Sequence, residues 1–323
     1  MTQDPALATA PVVAHVVRSG FVESVHHGVV AATDPDGRVA LARGDVGAPI
    51  FPRSSNKPLQ ATAMVRAGLD LDDDLLALAC ASHSGEPYHL EGVLRMLAGA
   101  GLDESALQNT PDRPIDPAER ERWIAEGRPP SSLGQNCSGK HAAMLSTCQV
   151  NGWSTDDYLD PDHPLQRVIA ETVAELAGEP VAATGVDGCG APVMAISTAG
   201  LARAFGRIAA ADPDTPEGAV AHAIRTSPEY LGGTGRDVTA LVRGVPGLIA
   251  KDGAEAVYAV GLADGRGLAL KIADGNQRAR TVVTAAALAA TGVELPDEVR
   301  AVLEDAPVLG HGRPVGSVVA VGF

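Results

Sequence analysis

The run VHHGVVAATDPDGRVALAR, residues 25–43, decides the fold class. Two segments rich in Val and Ala flank Asp34-Pro35-Asp36-Gly37, a combination suited to a tight chain reversal. Residues 25–33 and 39–43 therefore read as antiparallel strands, and residues 12–17 add another upstream. The same signature returns near the other end of the chain. Residues 256–262 and 267–273 flank Ala263-Asp264-Gly265-Arg266 as a second hairpin, and residues 315–321 read as a last strand. Between these ends the periodicity becomes helical. Leu90, Val93, Leu94 and Leu97 lie on one helix face, stopped by the glycines from Gly99 to Gly101. A helix starts at Pro164 after Asp162, with Leu165, Val168, Ile169, Thr172 and Leu176 on one face and Gly178 beyond it. Leu201, Phe205 and Ile208 mark a third helix, and residues 281–290 a fourth. The fold expected is α/β of the α+β kind. Its mainly antiparallel sheet is built from the N- and C-terminal segments, roughly 12–50 and 245–323. A helical layer, roughly 54–240, is inserted into a single domain covering residues 1–323.

Bulk properties narrow the function classes. A chain of 323 residues with 45% apolar and 20% charged residues can bury a large core. Aromatics make up only 3%, so that core must come from Ala, Val and Leu. A net charge of −15 argues against nucleic acid and anionic membranes as partners. No stretch reaches the roughly 20 apolar residues of a membrane span. Residues 1–11 lack a basic region followed by an apolar run, so a cytoplasmic location is expected. Cys80, Cys137, Cys148 and Cys189 are irregularly spaced and read as thiols or ligands rather than disulfides. The Pro-rich residues 111–130 read as a surface loop with a short helix around Trp123. Gly232-Gly233-Thr234-Gly235 reads as a flexible loop without the frame of a phosphate cradle.

The chemistry concentrates in a few clusters. Asn136-Cys137-Ser138-Gly139-Lys140-His141 puts a thiol, a hydroxyl, an amine and an imidazole at the start of a helix that ends at Asn151-Gly152. A helix N-terminus favours a thiolate and disfavours an ammonium, so Lys140 stands against the local field. Arg53-Ser54-Ser55-Asn56-Lys57 contains S-x-x-K, in which a neutral Lys can deprotonate a Ser. Pro58 opposes helical geometry at Lys57 and offers a later helix start. Cys80-Ala81-Ser82-His83-Ser84-Gly85-Glu86 reads either as a capped turn or as a cleft wall presenting Ser82 and His83. In Asp187-Gly188-Cys189-Gly190 the glycines allow close approach of a ligand. Lys271 lies in an apolar strand, either snorkelling at an edge or buried with a lowered pKa.

Taken together, these clusters resemble the asparaginase II family of the serine–lysine, zinc-binding type, which is similar in fold to serine β-lactamases and glutaminases. The matching pieces run from Arg53-Ser54 and Lys57-Pro58 through residues 80–84, 136–141 and 187–189 to Lys271-Ile272 and Asp274-Gly275-Asn276. The resemblance implies hydrolysis of L-asparagine to L-aspartate and ammonia. It implies catalytic pairs Ser54 with Lys57 and Ser82 with Lys271, and a zinc ion on Cys137, Lys140 and Cys189. It places Arg53, His83, Asn136, Asp187 and Gly188 at the substrate, and it implies a homodimer. Lys251-Asp252-Gly253 stands where the β-lactamase-like folds carry Lys-Ser/Thr-Gly. That departure leaves open whether Lys251 or Lys271 is the working amine. Rival readings are a glutaminase or penicillin-recognising enzyme of similar fold, and a non-catalytic amino-acid or metal binder.

Overall fold

The computed structural model describes residues 6–323; the N-terminal stretch read for an export signal lies partly outside them. The chain divides into two compact units. The first joins the N-terminal segment through Ser55 with Ile196–Ala210 and Ala240–Phe323; the second joins Asn56–Ala195 with Ala211–Thr239.

The strands, in chain order, are β1 (Val12–Arg18), β2 (Phe21–Thr33), β3 (Val39–Arg43), β4 (Pro49–Ile50), β5 (Ala183–Val186), β6 (Pro192–Ser197), β7 (Ile249–Gly253), β8 (Val257–Gly261), β9 (Gly267–Ile272), β10 (Pro307–Gly310) and β11 (Arg313–Ala320). The helices are α1 (Lys57–Arg66), α2 (Asp73–Ala79), α3 (Pro87–Gly99), α4 (Pro117–Ala125), α5 (Ser138–Asn151), α6 (Pro164–Ala177), α7 (Thr198–Ala209), α8 (Pro216–Thr226), α9 (Pro228–Leu231), α10 (Asp237–Gly244), α11 (Arg280–Ala290) and α12 (Asp297–Glu304).

The first unit is the sheet. Its strands run β10-β11-β1-β2-β9-β8-β7, with β3 also paired to β2 and every pairing antiparallel. Both ends of the chain thus build one sheet, as the two hairpins predict. In the first hairpin Asp34 Oδ1 accepts the Arg38 N–H at 2.8 Å, and Gly37 takes φ +80°. Helix α7 packs on β2, β8 and β9. A Cβ at Gly206 would lie 2.2 Å from the Gly265 carbonyl oxygen, and one at Gly267 would lie 1.8 Å from that of Ala202. Only glycine lets these backbones approach so closely. With few aromatics available, this core is made of Val30, Ala31, Val260, Ala269, Leu270 and similar aliphatic residues, all fully buried.

The second unit is helical and carries the β5–β6 hairpin. Helix α1 packs on α6 and α8, and α5 on α2 and α3. Close packing of α5 on α2 requires Gly139, whose Cβ would lie 2.4 Å from the Leu78 carbonyl oxygen. Helix α5 ends on Gly152 and α6 on Gly178, both left-handed, which are the stops the sequence signals. His163, rather than Asp162, caps α6 by accepting the Leu165 N–H.

Candidate active site

In the helical unit Lys57 is the first residue of α1, following a 3-10 turn over Arg53–Asn56. Pro58 therefore occupies the second helical position, where its missing N–H leaves no bond unmade. Lys57 is 1% exposed. Its Nζ donates to the Ala81 carbonyl, lies 3.3 Å from Ser82 Oγ and lies 3.2 Å from Cys137 Sγ. Three groups thus face this one amine: a backbone carbonyl, the Ser82 hydroxyl and the Cys137 sulfur. The hydroxyl that Lys57 reaches is that of Ser82.

Ser82 lies on the extended segment after α2. Its N–H donates to Leu231 O at 3.2 Å, His83 N–H to Asn136 O at 3.2 Å, and Ser84 N–H to Gly232 O at 2.8 Å. The segment is thus an extended, buried stretch sewn on both sides rather than a capped turn. The Gly232–Gly235 loop contributes to it. A Cβ at Gly233 would lie 2.1 Å from Ser84 Oγ, and Thr234 N–H donates to Glu86 Oε2 at 2.8 Å. His83 is fully buried, and Ser138 Oγ lies 2.8 Å from its Nε2. Ser138 Oγ donates onward to Leu133 O at 2.9 Å, so its lone pairs accept from His83 Nε2–H. Burial, then the nearby His89, Lys57 and Arg236, push the His83 pKa well down, and the ring is neutral.

Cys137 caps the N-terminus of α5, Lys140 lies in its first turn, and Cys189 lies in the β5–β6 turn. That turn closes through Asp187 N–H to Ala191 O and Gly190 N–H to Asp187 O, both 2.9 Å. Gly190 adopts φ +90°. Cys137 and Cys189 form one buried cluster with Ala191. The Cys137 thiol is held far below its ordinary pKa by the hydrogen bond from Cys189, helped by the charges of Lys57 and Lys140. Cys189 is pushed up by that same bond and by burial. Lys140 Nζ lies 3.2 Å from Cys189 Sγ. Burial works against its charge, but the sulfurs and Asp187 outweigh it and raise its pKa.

Among the described residues no three His, Cys, Asp or Glu side chains converge on a metal-sized site. The expected ligand set fits only with Lys140 as the third donor. Two sulfurs and one amine, buried together, are a donor set suited to a thiophilic cation such as zinc, provided the amine gives up its proton. Asp187 and Gly188 border this cluster, and Asp187 Oδ1 accepts the Gly188 N–H at 2.8 Å.

In the sheet unit Arg53 adopts φ +54°, an uncommon conformation for a side-chain-bearing residue, immediately before the buried Ser54. Ser55 Oγ donates to Lys251 O at 3.2 Å, tying this turn to β7. Lys251 and Asp252 lie within β7, a strand ahead of the hairpin expected from residue 256. Lys251 Nζ lies 2.5 Å from Asp252 Oδ1, and Arg280 lies 3.6 Å from the other carboxylate oxygen. Lys271 sits on an interior strand opposite Val29 and Val257, so it is no edge residue. It is 8% exposed, donates to Glu255 O at 2.5 Å, and has its pKa lowered chiefly by burial. Glu255 and Ala256 both take positive φ.

Several polar groups around the thiols carry no signal in the sequence. Tyr158 OH accepts the Gln108 N–H at 3.1 Å and pairs with His141 Nδ1 at 2.8 Å. Asn109, in the loop ahead of α4, donates to Gln135, which lies two residues before Cys137. Such residues act through backbone partners that only the fold supplies.

Comparison with known structures finds a β-lactamase from Mycobacterium bovis at 17% identity and TM-score 0.46, covering 81% of this chain and 94% of that one. It also finds Mglu in its native form at 15% identity and TM-score 0.35, covering 88% and 69% respectively. No curated protein matches the sequence. The family profile of L-asparaginase II matches residues 14–320, nearly the whole chain, and the chain belongs to the L-asparaginase II family of amidohydrolases.

Proposed function

We propose that this chain hydrolyses the side-chain amide of L-asparagine, giving L-aspartate and ammonia, with Ser82 as nucleophile and Lys57 as its base. The carrying observation is the buried contact of Lys57 Nζ with Ser82 Oγ at 3.3 Å. Family membership supports the reaction class.

In the proposed route Lys57 is neutral at the moment of attack and takes the Ser82 proton as Oγ bonds to the amide carbon. The tetrahedral intermediate collapses, the C–N bond breaks, and Lys57 returns the proton to the departing ammonia. Water then adds to the acyl-serine with Lys57 again as base, and the C–O bond to Ser82 breaks as Lys57 returns that proton to Oγ. The N–H groups of Ser82, His83 and Ser84 are engaged by carbonyls, and that of Cys137 by Gln135 Oε1 at 2.9 Å. Donors for the developing oxyanion would therefore come from the first turn of α5, at Gly139 and Lys140, whose N–H groups have no intrahelical acceptor. A zinc ion on Cys137, Lys140 and Cys189 would supply Lewis acidity and neutralise the sulfur charge beside Lys57. Asp187, half-buried beside Lys140, suits the substrate's ammonium group.

Incubation with asparagine, acid quench and peptide mass spectrometry tests this. An acyl adduct on the peptide containing Ser82, with ammonia release faster from asparagine than from glutamine, is expected. An adduct on the Ser54 peptide instead would overturn the assignment of the nucleophile. Absence of ammonia from any amide tried would overturn the reaction.

A further inference from the structure

The two sulfurs come from separate stretches, Cys137 at the start of α5 and Cys189 in the β5–β6 turn, so something must fix their spacing. Both are tied to one dipeptide, Asn109-Thr110. Thr110 N–H donates to the Cys189 carbonyl at 3.4 Å. Asn109 Nδ2 donates to Gln135 Oε1 at 3.0 Å and to Ser132 O at 2.7 Å. Gln135 Oε1 also accepts the Cys137 N–H at 2.9 Å, which engages both lone pairs of that oxygen. Ser132 Oγ closes a ring by donating to Asn109 O at 2.7 Å.

We infer that Asn109 and Gln135 are positioning residues that hold the Cys137 and Cys189 thiols at the spacing required by a thiophilic divalent cation. The inference rests on the reading of Cys137, Lys140 and Cys189 as a metal site. Burial marks the clamp as purposeful. Asn109 is 1% exposed and Gln135 8%, and Asn109 Oδ1 has no hydrogen-bond partner among the described residues. A surface loop would gain by turning that amide to water, since an unpaired buried acceptor costs about 1–3 kcal/mol. The geometry keeps it inside for its two donors. One runs to the Cys137 loop through Gln135, while the next backbone N–H runs to Cys189. Outer-shell partners of this kind typically change metal affinity by about 10–100-fold.

The experiment titrates the full-length, metal-stripped protein with Cd²⁺ and follows the thiolate-to-cadmium absorption band. Wild type, Asn109→Ala, Gln135→Leu and Gln135→Glu are compared. Wild type is expected to bind one ion per chain. Asn109→Ala and Gln135→Leu should weaken binding about tenfold or more, whereas Gln135→Glu, which keeps an oxygen acceptor, should stay within about threefold of wild type. Equal affinity and an unchanged band in Asn109→Ala and Gln135→Leu would overturn the clamp. A wild-type protein with no such band would overturn the metal reading alone. The clamp is then judged by amide hydrogen exchange at Cys137 and Thr110 in the metal-free chains. About tenfold faster exchange in Asn109→Ala supports it, and unchanged protection overturns it. If Asn109→Ala does not fold, the contrast between Gln135→Leu and Gln135→Glu decides.

Discussion

Lys57 and Lys271 are both buried amines, yet the two units treat them differently. In the helical unit Lys57 donates to the Ala81 carbonyl but also faces the Ser82 hydroxyl and the Cys137 sulfur, groups that can exchange protons with it. In the sheet unit Lys271 points at a backbone carbonyl and has its pKa lowered mainly by burial. A carbonyl has no proton to give, so that contact stabilises the ammonium and cannot itself become a proton transfer. One amine is prepared by its partners and the other by its surroundings. The first arrangement suits a base that activates a neighbour, and the second a group whose charge state answers to a ligand.

The largest expected effect separates the two serines. Ser82→Ala should lower kcat for asparagine by about 10³-fold or more, as losing a nucleophile does in comparable hydrolases. Ser54→Ala should lower it less. A steady-state comparison showing the reverse would move the nucleophile into the sheet unit and break the contrast drawn between the lysines.

Next comes the fold of the sheet unit. Asp252 is the carboxylate between Lys251 and Arg280, with Lys251 fully buried. Removing it leaves buried positive charge uncompensated, so Asp252→Ala should cost about 3–5 kcal/mol in urea unfolding. A loss under about 1 kcal/mol would show that water reaches β7 and that Lys251 has another way to be satisfied.

Lys271 is sharpened by two substitutions. Lys271→Met should reduce kcat/KM about 10²-fold. Lys271→Arg keeps the positive charge but cannot deprotonate. If the neutral amine is what the reaction uses, both variants fall equally, and wild-type activity rises with pH as the amine loses its proton. Retention of activity in the arginine variant would assign Lys271 to charge recognition instead.

How much of this was legible in the sequence depended on how local the signal was. Both hairpins were readable because a turn rich in Asp and Gly sits between runs that pair directly, and α6 because Pro, an apolar face and Gly bracket it. Strand β6, Pro-Val-Met-Ala-Ile-Ser, is buried at every residue, so it lacks the alternation that betrays a strand. Strand β7 was hidden for the same reason, and its Lys251 and Asp252 stood ahead of the expected hairpin until the ion pair shows why they can be inside. The residues of the thiol cluster stood out by type. The contact of Lys57 with Cys137, 80 positions away, could not be read, because helix packing creates it. Asn109 and Gln135 were invisible for a further reason: their partners are mainly backbone groups, which every sequence has.

Acid should destabilise the helical unit first. His83, His89 and His141 are all buried there with pKa values lowered chiefly by burial, His89 to about 4. A depressed folded value means the unfolded chain binds protons first. Their contribution is therefore complete above the ordinary value of 6.5 and is lost as pH falls below it. Each histidine contributes a slope of about 1.4 kcal/mol per pH unit in that window. Urea unfolding between pH 7.5 and 5 should show this decline, reduced by about one third in His89→Gln. A flat profile would mean that these rings are protonated when folded.

The smallest effect concerns the counterpart of the Asp252 network. Arg66 on α1 reaches Glu175 on α6 and Glu217 on α8, ion pairs that span three helices. The arrangement resembles the buried cluster of the sheet unit, but the Arg66 side chain is 31% exposed and that of Glu175 65%. Water already solvates Arg66 and Glu175 and still reaches Glu217, whose side chain is 14% exposed, so pairing them gains little and losing Arg66 strands no fully enclosed charge. Arg66→Ala should cost less than about 1 kcal/mol, and the cost should shrink further in about 0.5 M salt, where screening acts within a few ångströms. The Asp252→Ala deficit should hardly respond to the same salt. If Arg66→Ala proves as costly as Asp252→Ala, the three helices depend on this bridge for their mutual packing, and burial would no longer explain why the two charge clusters differ.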